Sequence, residues 1–319
     1  MIKTIFQKKV VILSALVLIA LIGYGLLHFI NKPLVWSMVN VNYSPQQGDA
    51  HLIQTNIGKN ILIDTGHLDP AKNALIPFLQ SKGIKKLDVI FISHPHKDHY
   101  AGLTAILGSG IKVSEVYFNI PDRALCDGEI PWGCDYVEIL NYHQILKSRG
   151  VKVSTAKAGM AFNIGLGTSL KILYAFDGIN TPVGRTDIND LSLIMLLRNG
   201  SQTALFTGDL NHKIGEYLAK EGKDLKVDIL KLPHHGTEGT APDAFYAVVS
   251  PKIAMVPSPA LLWCSARSAR MKNWVESRQI PTYVNGFSGH VTVTMRRDSF
   301  QIQQERPETR LPLPQCPVD

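Results

Sequence analysis

Apolar positions in this chain follow three regimes. The first is one unbroken run: residues 10–30, VVILSALVLIALIGYGLLHFI, carry no Asp, Glu, Lys or Arg. About 20 such residues span the hydrocarbon of a bilayer as a helix. The run is apolar on every side, which suits lipid rather than one face of a core. The second regime is strand-length runs. Residues 35–41, 51–56, 61–64, 87–93, 113–118, 170–175, 191–197, 203–206, 227–231, 253–256 and 291–295 predict strands. The third is helical spacing. It predicts a helix over 73–82, with Leu75, Phe78 and Leu79 on one face and Gly83 as its stop, and another over 136–149 closed by Gly150. Further helices are expected from an Asn211 cap to Gly222, from Pro242, and around Met271, Trp274 and Val275. Strands outnumber helices and many are joined by hairpin-length gaps. The expected class is α+β: two mixed sheets with helices outside (an αββα sandwich), preceded by one N-terminal transmembrane helix.

Lys3, Lys8 and Lys9 precede the apolar run and Lys32 follows it. The positive-inside rule then puts residues 1–9 in the cytoplasm, makes 10–30 a signal anchor, and places the rest outside. The sandwich is expected over 36–300, with a Pro-rich tail at 301–319. The expected location is the inner or cytoplasmic membrane, single-pass, with the domain periplasmic or extracellular. The alternative is secretion after cleavage, but Asn31-Lys32-Pro33-Leu34 offers no small-residue cleavage pattern. Cysteine usage fits an oxidising compartment. Cys126 and Cys134 bound a short polar segment, CDGEIPWGC, suited to a bridge, and Cys264 with Cys316 would tie down the tail. Spacing alone leaves the connectivity open. The formal charge of +7 falls to +3 once the four N-terminal lysines are set aside. That excess is too small for a dedicated DNA binder.

The sharpest chemical signal is His94-Pro95-His96-Lys97-Asp98-His99, directly after the apolar strand Val89-Ile90-Phe91-Ile92. Four potential ligands within six positions, on a turn stiffened by Pro95, can face two adjacent ions. Imidazole and carboxylate donors suit two divalent metals: Zn²⁺, with Mn²⁺ or Fe as alternatives. Three other stations also end strands or follow them: Asp64-Thr65-Gly66 before this motif, and Thr207-Gly208-Asp209 and Leu232-Pro233-His234-His235-Gly236 after it. His51, His67, His143, His212 and His290 stand outside these motifs.

The pattern HxHxDH with these stations in this order resembles the metallo-β-lactamase superfamily. More finely, Gln47-Gly48-Asp49-Ala50, Gly83-Ile84-Lys85-Lys86-Leu87-Asp88, Asn189-Asp190-Leu191-Ser192-Leu193 and Pro-His-His-Gly are similar to the metallo-β-lactamase-like domain of ComEC-type competence proteins. The resemblance covers roughly residues 36–296. It implies that His94 and His96, helped by the Asn189/Asp190 region, hold one metal. Asp98 and His99, with His234 or His235, would hold the second, and Asp209 would bridge them. Asp98 and Asp209 are thus the expected catalytic carboxylates, and Asp64 the support of the histidine loop. Three features depart from the family pattern, the mildest being Thr237 where a Ser is common after His-His-Gly. Where that pattern places a metal-site His between the first cluster and Gly208-Asp209, this chain offers Asn189 and Asp190, and the late stretch Leu262-Trp263-Cys264-Ser265-Ala266-Arg267 lacks a His. The family's channel portion has no counterpart, since this chain has one candidate span, so DNA translocation is not implied.

The expected function is a membrane-anchored metal-dependent hydrolase acting on a phosphodiester, in nucleic acid or a small nucleotide, through hydroxide generated at the metals. The alternatives are ester, lactone or β-lactam hydrolysis, and a binding or regulatory domain that has lost catalysis. Arg123, Arg185, Arg267 and Arg270 are candidate anion contacts. The topology has its own test. A reporter fused after Met295 that works only outside the cytoplasm should be active. Activity of a cytoplasm-only reporter at the same position would contradict the assignment.

Overall fold

Alternate side chains along the strands feed different cores, and this separation builds the molecule. On neighbouring strands, Leu52, Leu62 and Ile90 point to one side, while Ile53, Ile61, Ile63 and Phe91 point to the other. A strand's period of two forces this division. The computed structural model describes residues 32–42, 46–129, 133–176, 181–222, 225–237 and 239–306, with Ser14, Val17 and Cys316. Apart from Ser14 and Val17, the expected membrane helix at 10–30 lies outside the described residues. Among those described, no helix is long and apolar enough to cross a membrane.

The strands are β1 Leu34–Met38, β2 His51–Gln54, β3 Asn60–Ile63, β4 Lys86–Phe91, β5 Lys112–Tyr117, β6 Lys152–Ser154, β7 Ala161–Gly165, β8 Thr168–Tyr174, β9 Ile194–Asn199, β10 Gln202–Phe206, β11 Ile229–Lys231, β12 Ile253–Val256, β13 Thr282–Val284, β14 Val291–Met295 and β15 Phe300–Gln304. One sheet runs β15-β14-β1-β2-β3-β4-β5-β6 and the other β13-β12-β11-β10-β9-β8-β7. Each is half antiparallel and half parallel. β3, β4, β5 and β6 run parallel in the first, and β10, β11, β12 and β13 in the second.

The buried apolar residues form three clusters, and these define the layers. The middle cluster joins the inner faces of the two sheets, with Trp36 edge-on to Phe206 at 4.7 Å. A second lies between the first sheet and its helices, including Leu79, Leu103, Ile106, Ile139 and Leu146. The third lies between the second sheet and Ile214, Leu218, Phe245, Met271 and Trp274. The order helix, sheet, sheet, helix agrees with the expected sandwich.

Local departures from the sequence expectations have physical causes. The first helix begins earlier than residue 73, at Leu68, and passes through a π-helical turn at Ala71–Leu75 before Ile76–Ser81. Four strands were not foreseen: β6, β7, β13 and β15. All four are sheet edges. β15 pairs with β14 over its whole length, so the sandwich continues past the expected boundary at residue 300. Both expected disulfides are formed, Cys126–Cys134 and Cys264–Cys316, and the second fixes the tail at Cys316.

Candidate metal centre

The parallel halves of the two sheets deliver their carboxyl ends to one place. Asp64 follows β3 and His94 follows β4, while Asp209 follows β10 and His235 follows β11. The sheets are stitched together there by Leu193 N–H donating to the Ser93 carbonyl at 2.8 Å. Three of the residues at these strand ends adopt left-handed backbone: Asp64 at φ 58°, His234 at φ 49° and His235 at φ 53°. Side chains other than glycine and asparagine rarely accept that conformation, and it costs of order 1–3 kcal/mol each. The surrounding contacts must hold it in place.

Asp64 shows how. One carboxylate oxygen accepts the Ser93 backbone N–H at 2.7 Å. The other accepts the Ser93 hydroxyl at 2.7 Å and lies 2.9 Å from His99 Nδ1. The Thr65 N–H and hydroxyl both donate to the His99 carbonyl. Asp64 therefore fixes the histidine loop through these contacts and keeps the His99 proton on Nδ1. His99 Nε2 is left facing inward.

Around that atom stand Asp98, Asp209 and His235. Their ligand atoms and His99 Nε2 all lie within 4.8 Å of one another. Asp98 Oδ2 is 3.7 Å from His99 Nε2 and 3.2 Å from His235 Nε2. Asp209 Oδ2 is 3.4 Å from His99 Nε2 and 3.2 Å from His235 Nε2. For N and O ligands at about 2.0–2.1 Å from Zn²⁺, the edge of a tetrahedron is about 3.3 Å. The four separations bracket that value. His99 Nε2 and His235 Nε2 are buried without a hydrogen-bond partner. Buried polar atoms normally have one, so the donor set fits a cation.

Of the late pair, His235 enters this cage, and its Nδ1 faces the Pro257 carbonyl at 2.9 Å. His234 stands aside. Its Nε2 is 4.0 Å from Asp209 Oδ2 and its Nδ1 is 3.2 Å from Asn211 Oδ1. His94 Nε2 and His96 Nδ1 approach to 3.1 Å, a separation that suits two ligands of one ion. Burial pushes the His94 pKa down, aided by His99. Burial also works against the charged forms of His235 and Asp209, but mutual attraction outweighs it. His235 rises to about 10, and Asp209 falls well below the usual carboxylate range.

The Asn189/Asp190 region does not join the histidines through Asp190. The Asp190 carboxylate accepts the Asn211 N–H at 2.8 Å, the Ile214 N–H at 3.4 Å and the Thr186 hydroxyl at 2.8 Å. It thus serves the N-terminus of the His212–Glu221 helix. That is the cap expected of Asn211, whose own side chain makes no capping bond. The Asn189 amide oxygen is buried without a partner. Ser192 of the same segment supports the centre, its hydroxyl accepting the Asp209 N–H at 2.8 Å.

Three contributors were not among the expected site residues. Lys231, the last residue of β11, is fully buried. Its Nζ lies 2.5 Å from Asp49 Oδ2, 2.6 Å from the Gly208 carbonyl and 3.5 Å from Asp209 Oδ1. It holds one Asp209 oxygen while the other faces the histidines. Asp49 belongs to a segment singled out only for its resemblance, and a lysine closing an apolar strand before a histidine pair was a legible signal for Lys231. Glu129, 2.7 Å from His96 Nε2, gave none.

A cavity of 490 Å³ opens on the centre, lined by residues that include Gln47, His67, His96, Lys97, His234 and Arg267. Arg267 comes from the late stretch that lacks histidine. Arg123 pairs with Asp127, and Arg270 with Asp243, away from this cavity. Arg185 lines a neighbouring one. His51 and His290 take structural roles: His51 Nδ1 accepts from Trp36 Nε1, and His290 Nδ1 accepts the Asn40 N–H.

The metallo-beta-lactamase superfamily model matches residues 43–117, which include Asp49, Asp64 and the histidine loop. The chain is 24% identical over 267 residues to competence protein ComA of Neisseria gonorrhoeae, covering 82% of this chain and 33% of that protein. It is 26% identical over 133 residues to endoribonuclease ysh1 of Schizosaccharomyces pombe, covering 34% of this chain and 17% of that protein. The chain spans a third or less of the length of the curated relatives it matches. Among solved structures, CmlA, a diiron beta-hydroxylase from Streptomyces venezuelae, aligns with a TM-score of 0.50 at 13% identity. That alignment covers 83% of this chain and 54% of that one, and it shows the shared fold.

The placement of Asp190 makes a testable distinction. Asp190→Ala should lower the unfolding free energy by about 1–3 kcal/mol, as loss of a buried cap does, with metal per chain unchanged. Loss of metal at unaltered stability would instead make Asp190 a ligand.

Proposed function

We propose that this chain, a metallo-beta-lactamase superfamily protein with hydrolase relatives, is a two-metal phosphodiesterase acting on nucleic acid or a nucleotide outside the cytoplasm, tethered by residues 10–30. The observation that carries the reading is the cage of Asp98, His99, Asp209 and His235 beside the His94–His96 pair, opening onto a cavity that carries Lys97 and Arg267. In this reading His94 and His96 would hold one ion and the cage, with Asp209 as one of its carboxylates, would hold the other. When bound, two divalent ions supply a hydroxide nucleophile near neutral pH and polarise the phosphoryl oxygen.

The residues of the chain set the rest. Asp64 and Lys231 fix His99 and Asp209 before substrate arrives, so little reorganisation remains to be done during reaction. His234 is half-buried on the cavity wall, within reach of a bound substrate rather than inside the cage. Lys97, paired with Glu138 at 3.0 Å, and Arg267 give the wall a cationic side. A phosphodiester carries the complementary charge, and a neutral lactone does not. The names of relatives such as an endoribonuclease point the same way by analogy.

The purified chain, loaded separately with Zn²⁺ and Mn²⁺, should hydrolyse a chromogenic phosphodiester in preference to a carboxyl ester. Asp209→Asn and His235→Ala should each lose metal and reduce turnover roughly a hundredfold or more, since even supporting residues of such sites cost 10–100-fold. His234→Ala should keep the cage metal. Preferential ester hydrolysis would overturn the substrate class. A folded protein that stays metal-free after supplementation, with Asp209→Asn indistinguishable from it, would overturn the enzyme assignment.

A further inference from the structure

The loop closed by the Cys126–Cys134 disulfide touches the metal centre at two points. Glu129 places one carboxylate oxygen 2.7 Å from His96 Nε2, and its other oxygen accepts the Ile188 N–H at 3.2 Å. Gly133 lies against the same imidazole. A Cβ built there would stand 2.8 Å from His96 Cδ2 and 3.3 Å from Nε2, closer than a side chain can fit without displacing the ring. Both residues lie between cysteines only eight positions apart. The loop is also anchored. Cys126 and Cys134 are buried in the core beneath the first sheet's helices, and Asp122 caps the Arg123–Asp127 helix that leads into it.

The consequence follows from imidazole chemistry. A neutral ring donates from one nitrogen and offers a lone pair at the other. A carboxylate on Nε2 keeps the proton there, so His96 presents Nδ1 as its ligand atom. Nδ1 is the atom that faces His94 Nε2 at 3.1 Å. Glu129 thus does for His96 what Asp64 does for His99. The difference lies in how each carboxylate is held. Asp64 sits at the end of a central strand, whereas Glu129 sits in a loop whose ends the disulfide joins.

We propose that Glu129 is a positioning residue for His96, held in register by the Cys126–Cys134 disulfide, so that metal affinity on the His94–His96 side depends on that bridge. The proposal rests on the two-metal reading above. Its test measures metal binding to the full chain in wild type, Glu129→Ala, Glu129→Gln and the double variant Cys126→Ser/Cys134→Ser. Zn²⁺ per chain is read by elemental analysis against graded chelator, and the ligand field by the visible absorption of Co²⁺-substituted protein. Thermal unfolding in excess chelator reports folding independently of metal.

Glu129→Ala and the double cysteine variant should keep one ion at wild-type affinity and bind the other 10–100-fold more weakly, the range for loss of such a partner. The Co²⁺ spectrum should lose the contribution of that ion alone. Glu129→Gln, whose amide oxygen can still accept from Nε2–H, should fall between and serves as the folded variant if the alanine form is unstable. Wild-type affinity for both ions in either Glu129→Gln and Glu129→Ala or the cysteine variant, while His96→Ala loses one ion, would overturn this proposal and leave the two-metal reading standing. A wild type that binds no ion would overturn both.

Discussion

Four carboxylates, Asp49, Asp64, Asp98 and Asp209, are buried or nearly so at one end of the sandwich, and much else in the structure answers to that. Removing an ionised carboxylate from water costs several kcal/mol unless charge and hydrogen bonds replace the solvent. Lys231 meets Asp49 and Asp209, the Ser93 N–H and hydroxyl meet Asp64, and His99 and His235 meet Asp98 and Asp209. One ammonium does not balance four carboxylates, so His99 and His235 are raised towards their charged forms, and the donor set fits a cation. The left-handed backbone at Asp64, His234 and His235 is stable within this network, since release of any one contact would leave a buried charge uncompensated.

The same network explains why the two sides of the centre differ. The cage is built from the ends of central parallel strands, β4, β10 and β11, whose neighbours on both sides fix their positions. The His94–His96 side meets the cavity and leans on a loop, with Glu129 and Gly133 as its supports. A closed, strand-borne cage thus stands beside an open, loop-borne pair of histidines. The two oxygens of Asp209 are divided between Lys231 and the cage histidines His99 and His235.

The inner strands were legible in the sequence because burial on both faces, or on one, leaves apolar runs or alternation. The unforeseen strands are the four sheet edges. Ala161–Gly165 and Phe300–Gln304 are partly exposed, Lys152–Ser154 has three residues, and Thr282–Val284 is buried but too short to show a period. Edge strands carry polar residues that blunt the apolar signal. The centre was legible where its candidate ligands are contiguous, at residues 94–99, and where a strand ends on an acid or a histidine. Between His234 and His235 sequence offered no choice, because adjacent residues on a left-handed turn point apart by an amount only the backbone sets. Asp190 misled for a related reason: an acid near a metal motif and an acid capping a helix look alike until the helix N-terminus is placed. Glu129 was hidden because its partner His96 is brought to it by folding alone.

The central claim is that the Asp98–His99–Asp209–His235 cage holds a metal ion. Anomalous scattering at the zinc absorption edge, from crystals of the Zn²⁺-loaded protein, tests it most directly. The account predicts a peak bonded to Asp98 Oδ2, His99 Nε2, Asp209 Oδ2 and His235 Nε2. An ordered chain without a peak among those four atoms, and with Asp209 engaged by Lys231 and the histidines alone, would contradict it.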